Sequence, residues 1–203
     1  GCEISGLTVK SLPGLVVLHQ GEPWSARGAV NDYVRSVTAE EAIALADNGV
    51  DATFCILSAT LPQHSEALVA YNCQPVVCTL EMVEALARAA MKSAKRLPVH
   101  VKIDTGMGRV GIRLEEVVSF LDRCQNFPAL EVRGLMSHFP RADDADRSYS
   151  VAQLDRFRQA VELTKGRGIK TYHIANSAGI FALPDCHFDA VRPGIALYGL
   201  QPS

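Results

Sequence analysis

Four short stretches carry side chains that could do chemistry. VHVKIDTGMGR (99–109) brings Lys102 and Asp104 to the end of an apolar run, then turns through Gly106 and Gly108 to Arg109. VRGLMSHF (132–139) puts His138 at the end of a second run. HIANSAG (173–179) supplies His173, Asn176 and Ser177 ahead of Gly179, and VRPGIALYG (191–199) supplies Arg192 before Pro193 and Gly194. Cations at Arg109 and Arg192, with imidazoles at His138 and His173, suit a small anionic ligand that also carries a ring. Ser177 and the amides after Gly179 and around Gly194 read as a phosphate cradle. There is no GxxxxGK[ST], so a P-loop nucleotide site is not favoured. Each stretch alone has a plainer reading: a hydrogen-bonded histidine, a surface ion pair, a glycine turn, a helix cap. Their joint occurrence at four strand ends is what argues for a site.

The elements that must position these groups are legible as alternation. Short apolar runs occur at LVVLH (15–19), DYVRSV (32–37), ATFCIL (52–57), PVVCTL (75–80), VHVKID (99–104), VRGLMSH (132–138), TYHIA (171–175) and FDAVR (188–192). Helical patterns lie between them. Thr38 and Glu41 form a capping box for a helix closed by Gly49, and Leu80, Val83, Leu86 and Ala90 share a stripe. Further apolar periods run through Leu114, Val117, Val118 and Leu121, and through Val151, Leu154, Phe157, Val161 and Leu163 up to Gly166. Near-continuous apolar strands separated by helices predict a parallel sheet covered on its faces. Eight such runs predict a (β/α)8 barrel with its site at the C-terminal strand ends. EPWSARGAVNDY (22–33), with Pro23 and Gly28, makes a poor helix, so the first β/α unit is expected to be irregular or incomplete.

Composition narrows the class. Of 203 residues, 48% are hydrophobic, enough to bury a full core and to exclude a disordered chain. A net charge of −2 gives no electrostatic case for nucleic acid or an anionic membrane surface. No apolar run approaches the ~18 residues of a membrane span, and the opening stretch is not expected to be a secretory leader. Six scattered cysteines, none in a CxxC, read as buried reduced thiols of a cytoplasmic protein, with no zinc-site spacing.

VHVKIDTGMGRVG, GLMSHFPRADD, HIANSAG and HFDAVRPGIALYGLQPS, in that order, resemble the alanine racemase family. SVTAEEAIAL and LPQHSEALVAYNCQPVVCTLEMVEAL are similar to it as well. The resemblance implies an N-terminal barrel that binds pyridoxal 5'-phosphate, a C-terminal β-domain, and a cytoplasmic homodimer acting on alanine in D-alanine and cell-wall metabolism. It implies neither a nucleic-acid nor a membrane partner. Carried over by residue, it implies that Arg109 holds the substrate carboxylate and that Lys102 is the position carbamylated to orient that arginine. His138 would stack on the pyridine ring, Arg192 would face the pyridine nitrogen, and His173 would bond Arg192. Ser177, Gly194 and Ile195 would bind the phosphate, and their amides are expected to point, bare, at one place. An arginine at the ring nitrogen keeps it unprotonated and weakens the electron sink, which suits racemisation.

Two departures from the family pattern shape the expectations. The family's Schiff-base lysine lies in a pattern like VKANAYGHG; here TVKSLPGLVVLHQG offers Lys10, with a longer spacing to His19 and no intervening tyrosine. No residue matches the family's second base, a tyrosine of the β-domain. The chain is therefore expected to be one barrel domain over 1–203, a fragment or truncated form, with racemase activity on its own near background. A related serine or small amino-acid racemase, a non-catalytic pyridoxal-phosphate-binding carrier, and a degraded barrel that binds nothing stay open as alternatives.

Overall fold

The computed structural model describes residues 2–4, 7–9, 34–36, 38–50 and 52–202. Two three-residue strands, β1 (Cys2–Ile4) and β2 (Leu7–Val9), pair antiparallel. The rest is an α/β array on one parallel sheet of six strands: β3 (Val34–Ser36), β4 (Phe54–Ile56), β5 (Gln74–Val77), β6 (Leu97–Lys102), β7 (Leu130–Met136) and β8 (Thr171–His173). Their order in the sheet is their order in the chain, so every connection steps to the next neighbour, as in an incomplete barrel wall. Of the eight runs expected as strands, six form it. The run at 15–19 lies outside the described residues, as do Lys10 and His19. FDAVR is not an extended strand: among the described residues it contributes a parallel bridge, Asn176 to Arg192, and Pro193, which cannot donate to a ladder, follows at once.

The helices between the strands form where the sequence gives them caps and an apolar face. In α1 (Ala39–Asp47) the capping box is present in both directions, with Glu41 N–H donating to Thr38 Oγ1 (3.2 Å) and Thr38 N–H to Glu41 Oε2 (3.3 Å). The α3 helix (Leu80–Lys92) starts on Thr79, which accepts from Met82 N–H, and buries Val83, Leu86 and Ala90 against the sheet. Just past its end, Lys95 donates to the carbonyls of Val69 and Ala70, at the C-terminus of α2 (Ser65–Ala70). The expected helix from Leu114 is a single 3₁₀ turn, Leu114–Glu116, running into α4 (Val117–Cys124).

The long helix α5 (Ser148–Thr164) corrects an expectation. Leu154 and Phe157 are buried, but Val151 and Leu163 stand exposed. The buried face carries Ser150, Gln153, Ala160 and Thr164 instead. Of that polar face, Gln153 Nε2 reaches Thr105 Oγ1 in the loop after β6 at 3.5 Å and Thr164 donates to Ala160 O at 2.8 Å, contacts that an apolar count does not register. The short α6 (Ser177–Ala182) is capped by Asn176, which accepts from Gly179 N–H (2.9 Å) and donates to Phe139 O (2.9 Å). No helix among the described residues is long and apolar enough to cross a membrane.

Candidate active site

The polar groups gather at the C-terminal ends of β6, β7 and β8. After Lys102 the chain makes a closed loop and returns beside itself, with Asp104 N–H donating to Ile112 O (2.8 Å) and Ile112 N–H to Lys102 O (2.9 Å). Gly111 makes the return possible. It sits at φ +140°, and a Cβ there would lie 2.8 Å from the Ile103 carbonyl carbon. Asp104, a candidate by position, is used within this loop: its carboxylate accepts from Gly106 N–H (2.8 Å) and Gly108 N–H (2.9 Å). Helix α5 clamps the same loop from outside. Arg156 donates to Thr105 O (2.9 Å), the Tyr149 hydroxyl to Gly106 O, and Gln153 Nε2 to Thr105 Oγ1 (3.5 Å); Gln153 Nε2 also lies 3.4 Å from His138 O, past the end of β7. The loop thus presents Arg109, exposed, from a braced turn.

Lys102 is 3% exposed. Burial first, then the positive charges of Arg192 and Arg109, push its ammonium down to about 8. An amine so placed is still mostly protonated at pH 7, but its neutral, nucleophilic fraction far exceeds that of an ordinary lysine.

Arg192 is the best-fixed cation of the site, 2% exposed. Its main-chain N–H donates to Ala175 O (2.8 Å), the bridge that seats it beside the end of β8. One terminal nitrogen reaches Ser137 O (2.6 Å) and Ile174 O (3.0 Å) and lies 3.3 Å from His138 Nδ1. The other lies 2.7 Å from His173 Nδ1. A guanidinium only donates, so both carbonyls and both imidazole nitrogens act as acceptors. Desolvation, followed by the charge of Arg192, holds His173 neutral by lowering its pKa well below the ordinary imidazole range.

The expected phosphate cradle needs a correction. Ser177, Gly194 and Ile195 do come together one step beyond the Asn176–Arg192 bridge, but their amides are not all bare. Gly194 N–H donates to Ser177 Oγ at 2.7 Å, and Ala196 N–H approaches the same oxygen at 3.3 Å. The serine oxygen stands where the two donors converge, so an anion would have to share or displace it.

Sequence reasoning missed the layer beneath these groups. His173 Nε2 lies 2.9 Å from His100 Nδ1, and His100 Nε2 lies 3.1 Å from Gln74 Oε1, all three residues being buried. A signal existed: in a strand, His100 and Lys102 are two residues apart and face the same side. A further buried pair, Thr105 Oγ1 and Ser137 Oγ at 2.8 Å, ties the loop after β6 to the end of β7.

Comparison with known proteins identifies the family. The family described as alanine racemase, N-terminal domain, matches residues 26–202. An alanine racemase of Carboxydothermus hydrogenoformans is 42% identical over 166 residues, covering 81% of this chain and 45% of that protein. One of Syntrophobacter fumaroxidans is 40% identical over 164 residues, covering 80% and 44%. Among solved structures, the Clostridium difficile alanine racemase in complex with cycloserine superposes with a TM-score of 0.80 at 29% identity, over 85% of this chain and 48% of that one. The chain therefore spans about half the length of the relatives it matches. On the match over 26–202 and these identities, the chain belongs to the alanine racemase N-terminal domain family.

Proposed function

We propose that this chain is the cofactor-holding part of a cytoplasmic, homodimeric alanine racemase: a (β/α)8 barrel domain over 1–203 that binds pyridoxal 5'-phosphate and serves the interconversion of L- and D-alanine. The observation that carries the reading is Arg192, a buried guanidinium fixed by two carbonyls and the neutral imidazole of His173. A pyridine nitrogen placed against it receives a hydrogen bond and stays unprotonated, because the arginine does not give up its proton. The remaining donors fit the same ligand. Two amides converge on one oxygen at Ser177, as they would on a phosphate oxygen, and His138 lies beside Arg192 where an aromatic ring would be flanked.

Bound pyridoxal phosphate would supply a conjugated electron sink for the substrate's α-carbon. The chain's own residues do the rest. Ser177, Gly194 and Ile195 would hold the cofactor's phosphate, His138 would pack on its ring, and Arg192, braced by His173, would face its ring nitrogen. Arg109, exposed on its loop, takes the substrate carboxylate. Lys102 stays beside it, and its neutral amine can attack carbon dioxide, forming an N–C bond and losing a proton to solvent. The resulting carbamate anion would pair with Arg109 and remove the cation–cation repulsion that now depresses Lys102. Lys10 is the group proposed to bond the cofactor covalently and to move the α-proton on one face.

The test is titration of the chain with pyridoxal phosphate, followed by absorption, then borohydride reduction and peptide mass spectrometry, with Lys10→Ala as control. Reduction should leave the cofactor attached at Lys10, and Arg192→Leu should weaken binding. Attachment elsewhere, or indifference to residue 192, overturns the site. Tight binding with no alanine racemisation in a dimer containing both bases would instead favour a carrier, and racemisation of serine over alanine a related racemase.

A further inference from the structure

Beneath Arg192 the structure holds a hydrogen-bonded file whose polarity is completely determined. Arg192 can only donate, so His173 Nδ1, 2.7 Å away, must present its lone pair. A neutral imidazole that accepts at Nδ1 carries its proton at Nε2, and that proton points at His100 Nδ1, 2.9 Å away. His100 must then accept at Nδ1 and carry its own proton at Nε2, 3.1 Å from Gln74 Oε1. An amide oxygen only accepts, so the file ends correctly. Reversing any one link sets donor against donor at Arg192 or acceptor against acceptor at Gln74.

The backbone is shaped to hold this file. Between β6 and β7 the register slips: Val99 pairs with Val132 and His100 with Gly134, leaving Arg133 as an extra residue on β7. The His100 ring lies over Gly134. A Cβ on residue 134 would fall inside the ring's van der Waals surface, 2.8 Å from its Cγ and closer still to Nδ1. The His100 and His173 rings meet edge to face at 5.0 Å and 82°, so their in-plane nitrogens are aimed by packing as well as by bonding.

We propose that His100 is a positioning residue: it acts through His173 to fix the Arg192 guanidinium at the end of β8, with Gly134 as the space it needs and Gln74 as its anchor. The importance of that guanidinium rests on the function proposed above, but the geometry and its test do not. His173 Nε2–H without an acceptor would leave a buried donor unsatisfied, and the imidazole would be free to turn away from Arg192.

The experiment is nitrogen-15 NMR of the histidine- and arginine-labelled chain at neutral pH, without cofactor. Both His100 and His173 should carry their proton on Nε2, read from long-range proton–nitrogen couplings, and Arg192 should show resolved, slowly rotating terminal N–H resonances. His100→Leu should collapse the Arg192 resonances. His100→Asn, whose amide oxygen can accept from His173 and whose NH₂ can donate to Gln74, should restore them. Arg192 resonances unchanged in His100→Leu overturn the proposal, and so does a proton on Nδ1 of either histidine. The wild-type tautomers are measured without any variant, so a poorly folding His100→Leu leaves that arm decisive. Correct tautomers with no pyridoxal-phosphate binding would sink the proposed function alone.

Discussion

Two arginines serve this site from opposite kinds of ground. Arg109 rides on the loop after β6, exposed to solvent, and the loop rather than its side chain is what the fold braces. Arg192 is buried, and its guanidinium itself is gripped by two carbonyls and the His173 ring. A solvated cation keeps its rotamer freedom and can be remade around each incoming carboxylate. A desolvated one held at both terminal nitrogens has a single pose and suits a partner that stays. The difference matches the two tasks proposed for them, exchange at Arg109 and permanence at Arg192.

The sharpest way to break that comparison is stability. Arg192→Leu leaves the carbonyls of Ser137 and Ile174 and the His173 Nδ1 facing an alkyl chain, and should cost about 3–5 kcal/mol, read from urea or thermal melts. Arg109→Leu should fall within about 0.5 kcal/mol of the wild type, because nothing buried depends on it. Comparable losses at the two positions would mean that burial is not what separates them.

Lys102, buried at the end of β6, offers a pH test. Its folded-state value, about 8, lies below the 10.5 of an unperturbed lysine. Between those values the unfolded chain binds more protons than the folded one, so stability rises with pH across that window. Below pH 8 the cost of the buried charge is fully present. Lys102→Met removes it and should be more stable than the wild type at pH 7, by up to about 3 kcal/mol, with the advantage fading toward pH 10.5. Melts in carbon-dioxide-free buffer at pH 7, 9 and 10.5 measure this. A constant difference across the three would show that Lys102 is not the titrating group.

How much of this could be read beforehand follows from what a residue must satisfy. The strands and the capped helices were legible because period, cap and apolar face all agree locally: Thr38 with Glu41, or Val83 with Leu86. His138, His173 and Arg192 were legible as strand-end groups, with His173 beside Arg192 expected from the family resemblance. His100 and Gln74 were not singled out, since His100 sits within an apolar run, Gln74 just ahead of one, and their partners come from other strands. The Gly134 requirement was equally hidden, because the bulge that creates it is a property of the β6–β7 pair and not of either strand. The bare amides expected at Gly194 failed for a related reason: a serine hydroxyl seventeen residues earlier in the chain already accepts there.

The clamp on the Arg109 loop should respond more modestly. Arg156→Ala removes a hydrogen bond of 2.9 Å to Thr105 O from a partly buried position and should cost about 1–2 kcal/mol. Hydrogen exchange should speed at Gly106 and Gly108, with no change at residues beside Arg192. Exchange that quickens equally at both places would mean that the two arginines share one mechanical unit.

The smallest effect is expected at Gln153, although it is completely buried on α5. Its Nε2 donates over long distances, 3.4 Å to His138 O and 3.5 Å to Thr105 Oγ1, and no described group bonds its Oε1. A buried amide oxygen without a donor costs free energy that two stretched bonds barely offset. Gln153→Met keeps the volume and the unbranched shape while removing both the weak bonds and the unsatisfied oxygen. Thr105 Oγ1 keeps its 2.8 Å partner in Ser137, so only the His138 carbonyl loses a contact. The variant should lie within about 1 kcal/mol of the wild type, in either direction, by chemical denaturation. A loss near that of Arg192→Leu would show that Gln153 satisfies more than its static bonds suggest, and would place the fixed ground of the site on α5 as well as on β8.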